Sequence, residues 1–227
     1  MADLVTYTHA CSEHEHLEFR LNYNDGLVGE EDIRDLVTRL ETAVRKGERY
    51  EPGSSLKVGW VVLRVGRHEE GALILQEPDM IHTPVWWIDS VNHCLIHRRL
   101  QRGVCASVLD AGEIDFPATT ERAAVAPCYL DGTGTSMHRF AGDEGHSGWL
   151  LACDDCEHGH DPERGCADML LYDAVVGYDP RVIPYLGLPS GVSVVIGPDG
   201  PRISRDGEPL AFKAGSLLEA NFGDVRP

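Results

Sequence analysis

The sequence is poor in basic residues and contains no long apolar run. Lysine and arginine together number 20, against 37 aspartate and glutamate residues, so the formal net charge is −17. Phosphate backbones and anionic lipids attract basic patches, so this balance argues against nucleic-acid and membrane partners. No stretch approaches the ~20 apolar residues of a membrane span. The composition instead favours a partner with a basic surface.

Neither a disulfide framework nor a secretion signal is evident. The seven cysteines form an odd, scattered set, whereas disulfide scaffolds use an even and regularly spaced one. Residues 1–16 lack the basic and apolar regions of a signal peptide. We therefore expect a reduced, cytoplasmic protein. The 42% apolar content and the length of 227 residues predict an ordinary globular fold with its own core.

Common catalytic motifs are also missing. The sequence has no GxSxG nucleophile elbow and no papain-type cysteine signature. It has no Walker A loop, and no GxGxxG follows a predicted strand. We therefore expect a protein that is not an enzyme and needs no cofactor.

Hydrophobic periodicity predicts both helices and strands. The clearest helix has one apolar stripe, formed by Ile33, Leu36, Val37, Leu40 and Val44. A second helix is expected over residues 88–108. Residues 56–65 are apolar almost throughout and predict one buried strand, paired with residues 72–76. Strict alternation of strands and helices is absent, so the fold class is predicted to be α+β with antiparallel sheets.

A polar, acidic segment without periodicity predicts a connection between two α+β subdomains. The domains would then be residues 1–110 and 123–227, joined by residues 111–122. Strands are expected at residues 123–130, 148–152 and 190–196, and a short helix at residues 169–176. Asp179 precedes a proline and is expected to cap a helix that begins at Pro180.

One loop combines cysteine and histidine at metal-ligand spacing. A CxxC pair presents two thiolates to one tetrahedral zinc ion, and a histidine or a third cysteine completes such a site. The candidate ligands are Cys153, Cys156, His158, His160 and Cys166. A second CxxC is missing and acidic residues flank the first, so the alternative is a solvated surface loop.

The same region is the most acidic part of the chain. Residues 141–167 contain one cation, Arg164, and seven carboxylates: Asp143, Glu144, Asp154, Asp155, Glu157, Asp161 and Glu163. Such a density creates a negative potential that speeds association with a basic surface. We expect residues 143–163 to contact a partner, and the alternative is that they only keep the protein soluble. Trp86 and Trp87 form a second candidate contact, because tryptophan is favoured at interface hot spots, although one of the pair is more often buried in a core.

The second half resembles a known family. It contains SGW at residues 147–149, YDPRVIPYL at residues 178–186, PSG at residues 189–191 and a closing strand at residues 192–196. This pattern, over about residues 123–200, resembles the thirty-third numbered family of bacterial immunity proteins. The first half also looks like that of longer relatives. The cysteine and histidine loop is a departure from the family pattern, which is rich in Asp, Glu and Ser there.

The resemblance implies a function. Such proteins neutralise a cognate toxin, often one delivered between bacteria by type VI secretion. A toxin that grips phosphate, such as a nuclease, has the basic cleft that an acidic inhibitor fits. Two alternatives remain at this point: a metal-dependent enzyme that uses Cys153, Cys156, His158 or His160, and a housekeeping domain without a toxin.

Overall fold

The structure is a computed structural model of the chain, and it describes residues 3–110, 112–131, 134–154 and 165–223. Internal contacts divide the chain into two compact units, Met1–Arg99 and Leu100–Pro227. Each unit has its own mixed sheet with helices, so the predicted α+β fold class is confirmed. In the described part of the chain, no helix combines the length and the hydropathy that crossing a bilayer requires.

The first unit is built on one sheet. Its elements are β1 (Asp3–Tyr7), a 3-10 turn (Ser12–His14), β2 (Phe19–Asn24), α1 (Glu30–Arg45), β3 (Ser55–Val58), β4 (Val61–Arg67), β5 (Leu73–Pro78), β6 (Trp87–Ile88) and the first part of α2 (Asn92–Val108). The strand order is β1-β2-β5-β4-β3, and β6 pairs with β5. Only the β2–β5 pairing is parallel among the described strands of this unit.

Helix α1 follows the sequence pattern closely. Acidic residues occupy its first turn and Arg45 its last, and both placements complement the helix dipole. The buried face consists of Ile33, Leu36, Leu40 and Val44. Val37, predicted to share the stripe, is half-buried. The helix lies next to β3, where the Arg39 guanidinium donates to the Lys57 carbonyl at 3.1 Å.

The apolar run predicted as one strand is a hairpin, so that prediction is wrong. Strands β3 and β4 pair antiparallel, with Val58 opposite Val61. Gly59 starts the two-residue turn with φ +61°, the left-handed value that a type II′ turn needs at its first central position. Trp60, the other turn residue, is fully buried. The residues on both sides of this turn are apolar and buried, so no polar residue marks the turn in the sequence. Hydrophobic periodicity therefore cannot locate it.

The second unit holds a longer sheet. Its elements after α2 are β7 (Arg122–Val125), α3 (Pro127–Leu130), β8 (Thr135–Arg139), β9 (His146–Ala152), β10 (Ala167–Leu170), α4 (Leu171–Gly177), a 3-10 segment (Pro180–Tyr185), β11 (Val192–Gly197), β12 (Gly200–Arg205), β13 (Glu208–Pro209) and α5 (Leu217–Phe222). The strand order is β10-β7-β9-β8-β11-β12-β13, and β7 runs parallel to β9.

Two predicted elements are each divided in the structure. The strand expected over residues 123–130 ends at Val125, and α3 begins at Pro127, a residue that has no N–H to offer a sheet. The helix expected over residues 169–176 starts as β10, because Met169 and Leu170 pair with β7.

The segment predicted as an inter-domain connection packs within the second unit. The backbone N–H of Asp115 donates to the carbonyl of Gly187 at 2.9 Å, and its carboxylate pairs with buried Arg139 at 3.0 Å. Glu113 pairs with Arg205. The division between the two units lies earlier, between Arg99 and Leu100, within α2.

Candidate partner-binding site

Within the predicted contact region, residues 143–163, the acidic residues that the structure describes form two separate groups. Asp143 and Glu144 precede β9, and Asp154 follows it. A strand rises about 3.3 Å per residue, so the length of β9 separates the groups by roughly 20 Å. The interior of β9 is buried, including Trp149 at 1% exposure. Residues 143–163 are therefore not one continuous loop. The other predicted contacts, Asp155, Glu157, Asp161 and Glu163, lie outside the described residues.

The first group lies at the end of the β8–β9 hairpin. Residues 140–146, here called the acidic tip, are all exposed. A tight turn closes the tip, because the N–H of His146 donates to the Asp143 carbonyl at 3.1 Å. Phe140 at its base leaves 44% of its surface in solvent. The tip thus presents one aromatic ring beside two carboxylates on a short, well-anchored turn.

Charged residues from two neighbouring strands border the acidic tip. His146 Nδ1 lies 2.9 Å from Asp143 Oδ1, and its Nε2 lies 3.7 Å from Asp168 Oδ1. Asp168 on β10 also pairs with Arg122 on β7 at 2.5 Å. No sequence motif indicated His146, Arg122 and Asp168, which the pairing of β7 with both β9 and β10 brings together. The ion pair with Arg122 offsets the negative charge of Asp168. Asp143 and Glu144 therefore provide most of the negative charge at this end of β9.

At the other end of β9, Asp154 pairs with Arg202 at 3.1 Å. Cys153 beside it is buried, and its backbone N–H donates to Cys128 Sγ at 3.3 Å. Cys166 is half-buried. The remaining candidate ligands, Cys156, His158 and His160, lie outside the described residues. Within the described ranges no three His, Cys, Asp or Glu side chains are grouped to hold a metal, and the zinc hypothesis for the full loop stays a prediction.

The YDP segment, residues 178–186, has a structural role. Asp179 caps the 3-10 segment as predicted, because its Oδ1 accepts from the Arg181 N–H at 3.0 Å. The carboxylate also bonds the Arg181 guanidinium and the Thr135 hydroxyl. Burial alone would raise the pKa of Asp179, but these bonds hold it below its ordinary value. Ile183, Tyr185 and Leu186 face inward, at 6%, 6% and 0% exposure.

The SGW residues, 147–149, also serve to hold the fold together. The Ser147 hydroxyl donates to the Arg122 carbonyl at 2.9 Å. Gly148 has φ +76°, and a Cβ there would lie 2.4 Å from the Phe140 carbonyl oxygen. The indole Nε1 of Trp149 donates to the carbonyl of Leu186 at 3.2 Å, which joins SGW to the end of the YDP segment. Both signatures thus contribute buried residues to the core, whereas every residue of the acidic tip is exposed.

The two adjacent tryptophans of the first unit differ in exposure and in contacts. Trp86 is 60% exposed and its ring stacks on His82, with centroids 3.9 Å apart. Trp87 is half-buried on β6, beneath the Arg64 guanidinium at 5.4 Å. Of the two candidates, Trp86 is the one whose ring is accessible.

A family model described as the Imm33-like domain matches residues 100–206. The match confirms the family resemblance and begins at the first residue of the second unit. No curated protein and no solved structure matches the chain. The matched residues contain both signatures, SGW and the YDP segment, together with the acidic tip.

Proposed function

We propose that the chain is a non-enzymatic immunity protein that binds and neutralises a cognate bacterial toxin in the cytoplasm. The observation that carries this proposal is the Imm33-like domain over residues 100–206. The toxin would be of the kind delivered between competing bacteria, as by type VI secretion. Neutralisation by binding needs an accessible surface rather than a catalytic centre, and the exposed acidic tip supplies one.

The charge distribution supports a basic toxin as the partner. Residues 100–227 contain 20 acidic and 9 basic residues, so this part of the chain carries −11 of the formal −17. A strong negative field raises the rate of association with a basic surface and is screened by salt. A nuclease cleft that grips phosphate has the complementary charge. Phe140 beside Asp143 and Glu144 adds an apolar contact to the ionic ones.

Co-expression tests the function. The product of the neighbouring gene is expressed as the candidate toxin in bacteria with and without the chain, and growth is measured. We expect the toxin alone to stop growth, and the wild-type chain to restore it and to co-purify with the toxin. Unrestored growth at equal expression would contradict the proposed function, irrespective of which surface binds.

Charge reversal then tests the contact surface. We expect Asp143→Lys with Glu144→Lys to lower the association rate at low salt by about tenfold or more. Asp199→Lys with Glu208→Lys is the matched control, because both carboxylates are exposed and the net charge changes equally. Equal rates for the two pairs would remove the acidic tip from the interface. The reversal of Asp154, Asp155, Glu157 and Asp161 to lysine tests the second acidic group in the same assay.

A further inference from the structure

The most exposed large apolar side chains of the described residues lie together on one hairpin of the first unit. Strands β5 and β6 pair Glu77 with Ile88 and Pro78 with Trp87. Residues 79–88, here called the aromatic hairpin, include Ile81 at 75% exposure and Trp86 at 60%. No Asp, Glu, Lys or Arg occurs from residue 80 to residue 88. Exposed apolar surface without charge is characteristic of the centre of a protein interface.

Hydrogen bonds and stacking hold this loop in one conformation. The N–H of Asp79 donates to the Trp86 carbonyl at 3.0 Å, which closes the loop. The Asp79 carboxylate accepts from the backbone N–H groups of Ile81 and His82 at 3.1 and 3.0 Å, and also bonds the His82 ring. That ring lies 3.9 Å from the Trp86 ring at an interplanar angle of 12°. Trp86 is therefore exposed and fixed at the same time.

The base of the hairpin is tied to the rest of the first unit. Gln76 Nε2 donates to Asp89 Oδ1 at 2.7 Å, and Arg64 covers Trp87. Glu77 is fully buried and accepts from the backbone N–H groups of His93 and Cys94 at the start of α2. An anchor held this firmly loses little conformational entropy when it binds.

We propose that the aromatic hairpin is the apolar anchor of the toxin complex, with Ile81 and Trp86 inserted into a hydrophobic cleft of the toxin. The inference rests on the proposed function and adds a second contact to it. Charged groups at an interface mainly set the association rate, whereas a desolvated aromatic anchor mainly sets the dissociation rate. The negative charge of the chain and the lack of Lys and Arg in the hairpin favour a protein cleft over an anionic membrane, and the formal charge of −17 disfavours a second copy of the chain.

Dissociation kinetics with the purified toxin domain test this anchor. We expect Trp86→Ala to raise the dissociation rate about 30-fold, the effect of a typical hot-spot residue, and to leave the association rate and its salt dependence unchanged. Ile81→Ala should act in the same direction. Leu27→Ala is the matched control, because Leu27 is 46% exposed outside the hairpin, and it should dissociate like the wild type.

The outcomes separate this inference from the proposed function. If the wild-type chain binds the toxin and Trp86→Ala dissociates at the wild-type rate, the anchor is wrong and the function stands. If the wild-type chain does not bind, the function itself fails. A dimer of the free chain, or binding to phosphatidylglycerol vesicles, that is lost in Trp86→Ala would also overturn the inference, because the hairpin would then serve a different partner.

A second variant tests the rigidity of the loop. Asp79→Ala removes the acceptor for two backbone N–H groups and the His82 ring, while Ile81 and Trp86 remain. We expect a loss of the near-ultraviolet dichroism of the stacked tryptophan and a dissociation rate between those of the wild type and Trp86→Ala. An unchanged dissociation rate despite lost dichroism would show that the fixed conformation does not contribute to binding.

Discussion

The indole Nε1 of Trp149 donates a 3.2 Å hydrogen bond to the carbonyl of Leu186, 37 residues further along the chain. The Arg139 guanidinium reaches the same carbonyl at 3.5 Å and lies over the Trp149 ring, 5.2 Å from its centroid. All three residues are buried. The SGW and YDP segments, which both lie within the residues that match the family model, are therefore parts of one packed cluster.

Removal of this hydrogen bond should cost stability. Trp149→Phe deletes the buried donor and part of the buried ring, so we expect the free energy of unfolding to fall by about 1–3 kcal/mol. Urea denaturation measures the change. Trp86→Phe is the control, because the exposed Trp86 ring should change stability by less than about 0.5 kcal/mol. Equal stability of the two variants would contradict the role assigned to the Trp149 hydrogen bond.

Two glycines with similar backbone conformations should differ in their response to alanine. Gly148 and Gly145 have φ +76° and +83°, but a Cβ on Gly148 would lie 2.4 Å from the Phe140 carbonyl oxygen, whereas nothing lies within 4 Å at Gly145. Gly145→Ala should cost about 1 kcal/mol from the left-handed backbone alone. Gly148→Ala should cost at least about 2 kcal/mol more, because the backbone of the hairpin must move. Thermal unfolding of both variants tests the difference, and similar melting temperatures would exclude the close approach.

The buried face of α1 should not tolerate a charge. Leu40 is 1% exposed, so Leu40→Asp places a carboxylate among apolar side chains and should destabilise the chain by several kcal/mol, about 3–5. Thr38→Asp introduces the same charge at an exposed position of the same helix and should change stability by less than about 0.5 kcal/mol. Wild-type thermal stability of Leu40→Asp would refute the assignment of this face to the core.

The Asp179 cap should contribute stability that depends on pH. Asp179→Ala removes the acceptor for Arg181 and Thr135, and we expect a loss of about 2 kcal/mol at neutral pH. Because the pKa of Asp179 is lowered in the folded state, this contribution is present above about pH 4 and is lost as the pH falls further. Asp199→Ala, at an exposed turn, is the control. Lost toxin binding at unchanged stability would show that Asp179 is a contact residue instead.

Two histidines on one helix should affect acid stability in opposite directions. Burial and the neighbouring charge of His93 lower the pKa of His97 to about 4, and Trp60 Nε1 donates to its Nδ1 at 3.1 Å. Glu77, 3.4 Å from His93 Nδ1, raises the pKa of His93. The folded state therefore binds fewer protons than the unfolded state at His97 between about pH 6.5 and 4, and more at His93 around and above pH 6.5.

Stability measured against pH distinguishes these histidines. His97→Gln should reduce the loss of stability between pH 6.5 and 4 by about 1–3 kcal/mol, with allowance for partial exposure. His93→Gln should remove the gain of stability that accompanies a fall in pH through the range around and above 6.5, because a favourable protonation is lost. Parallel pH profiles for the two variants would contradict the opposite pKa shifts.

Local features of the sequence predicted several elements correctly. The helical spacing of four apolar residues and the charges at both ends determined α1, because a helix is specified by residues three and four positions apart. The Asp179-Pro180 pair likewise determined a cap and a helical start, because the capping bond joins residues two positions apart. The acidic character of residues 143–163 and the family resemblance also required no coordinates.

Tertiary structure decided which of these residues can meet. Pairing of β7 with β9 brings Arg122 to His146, pairing of β10 with β7 adds Asp168, and β9 itself divides the acidic residues 143–154 into two groups. Trp86 and Trp87 are adjacent and of the same residue type, yet their environments differ. Trp86 projects from a closed loop, whereas Trp87 lies on β6 under Arg64. Contacts between residues far apart in the chain depend on strand order and register, which no local spacing encodes. The sequence alone therefore determined several elements, the charge and the family resemblance, whereas the fold determined the accessible surface.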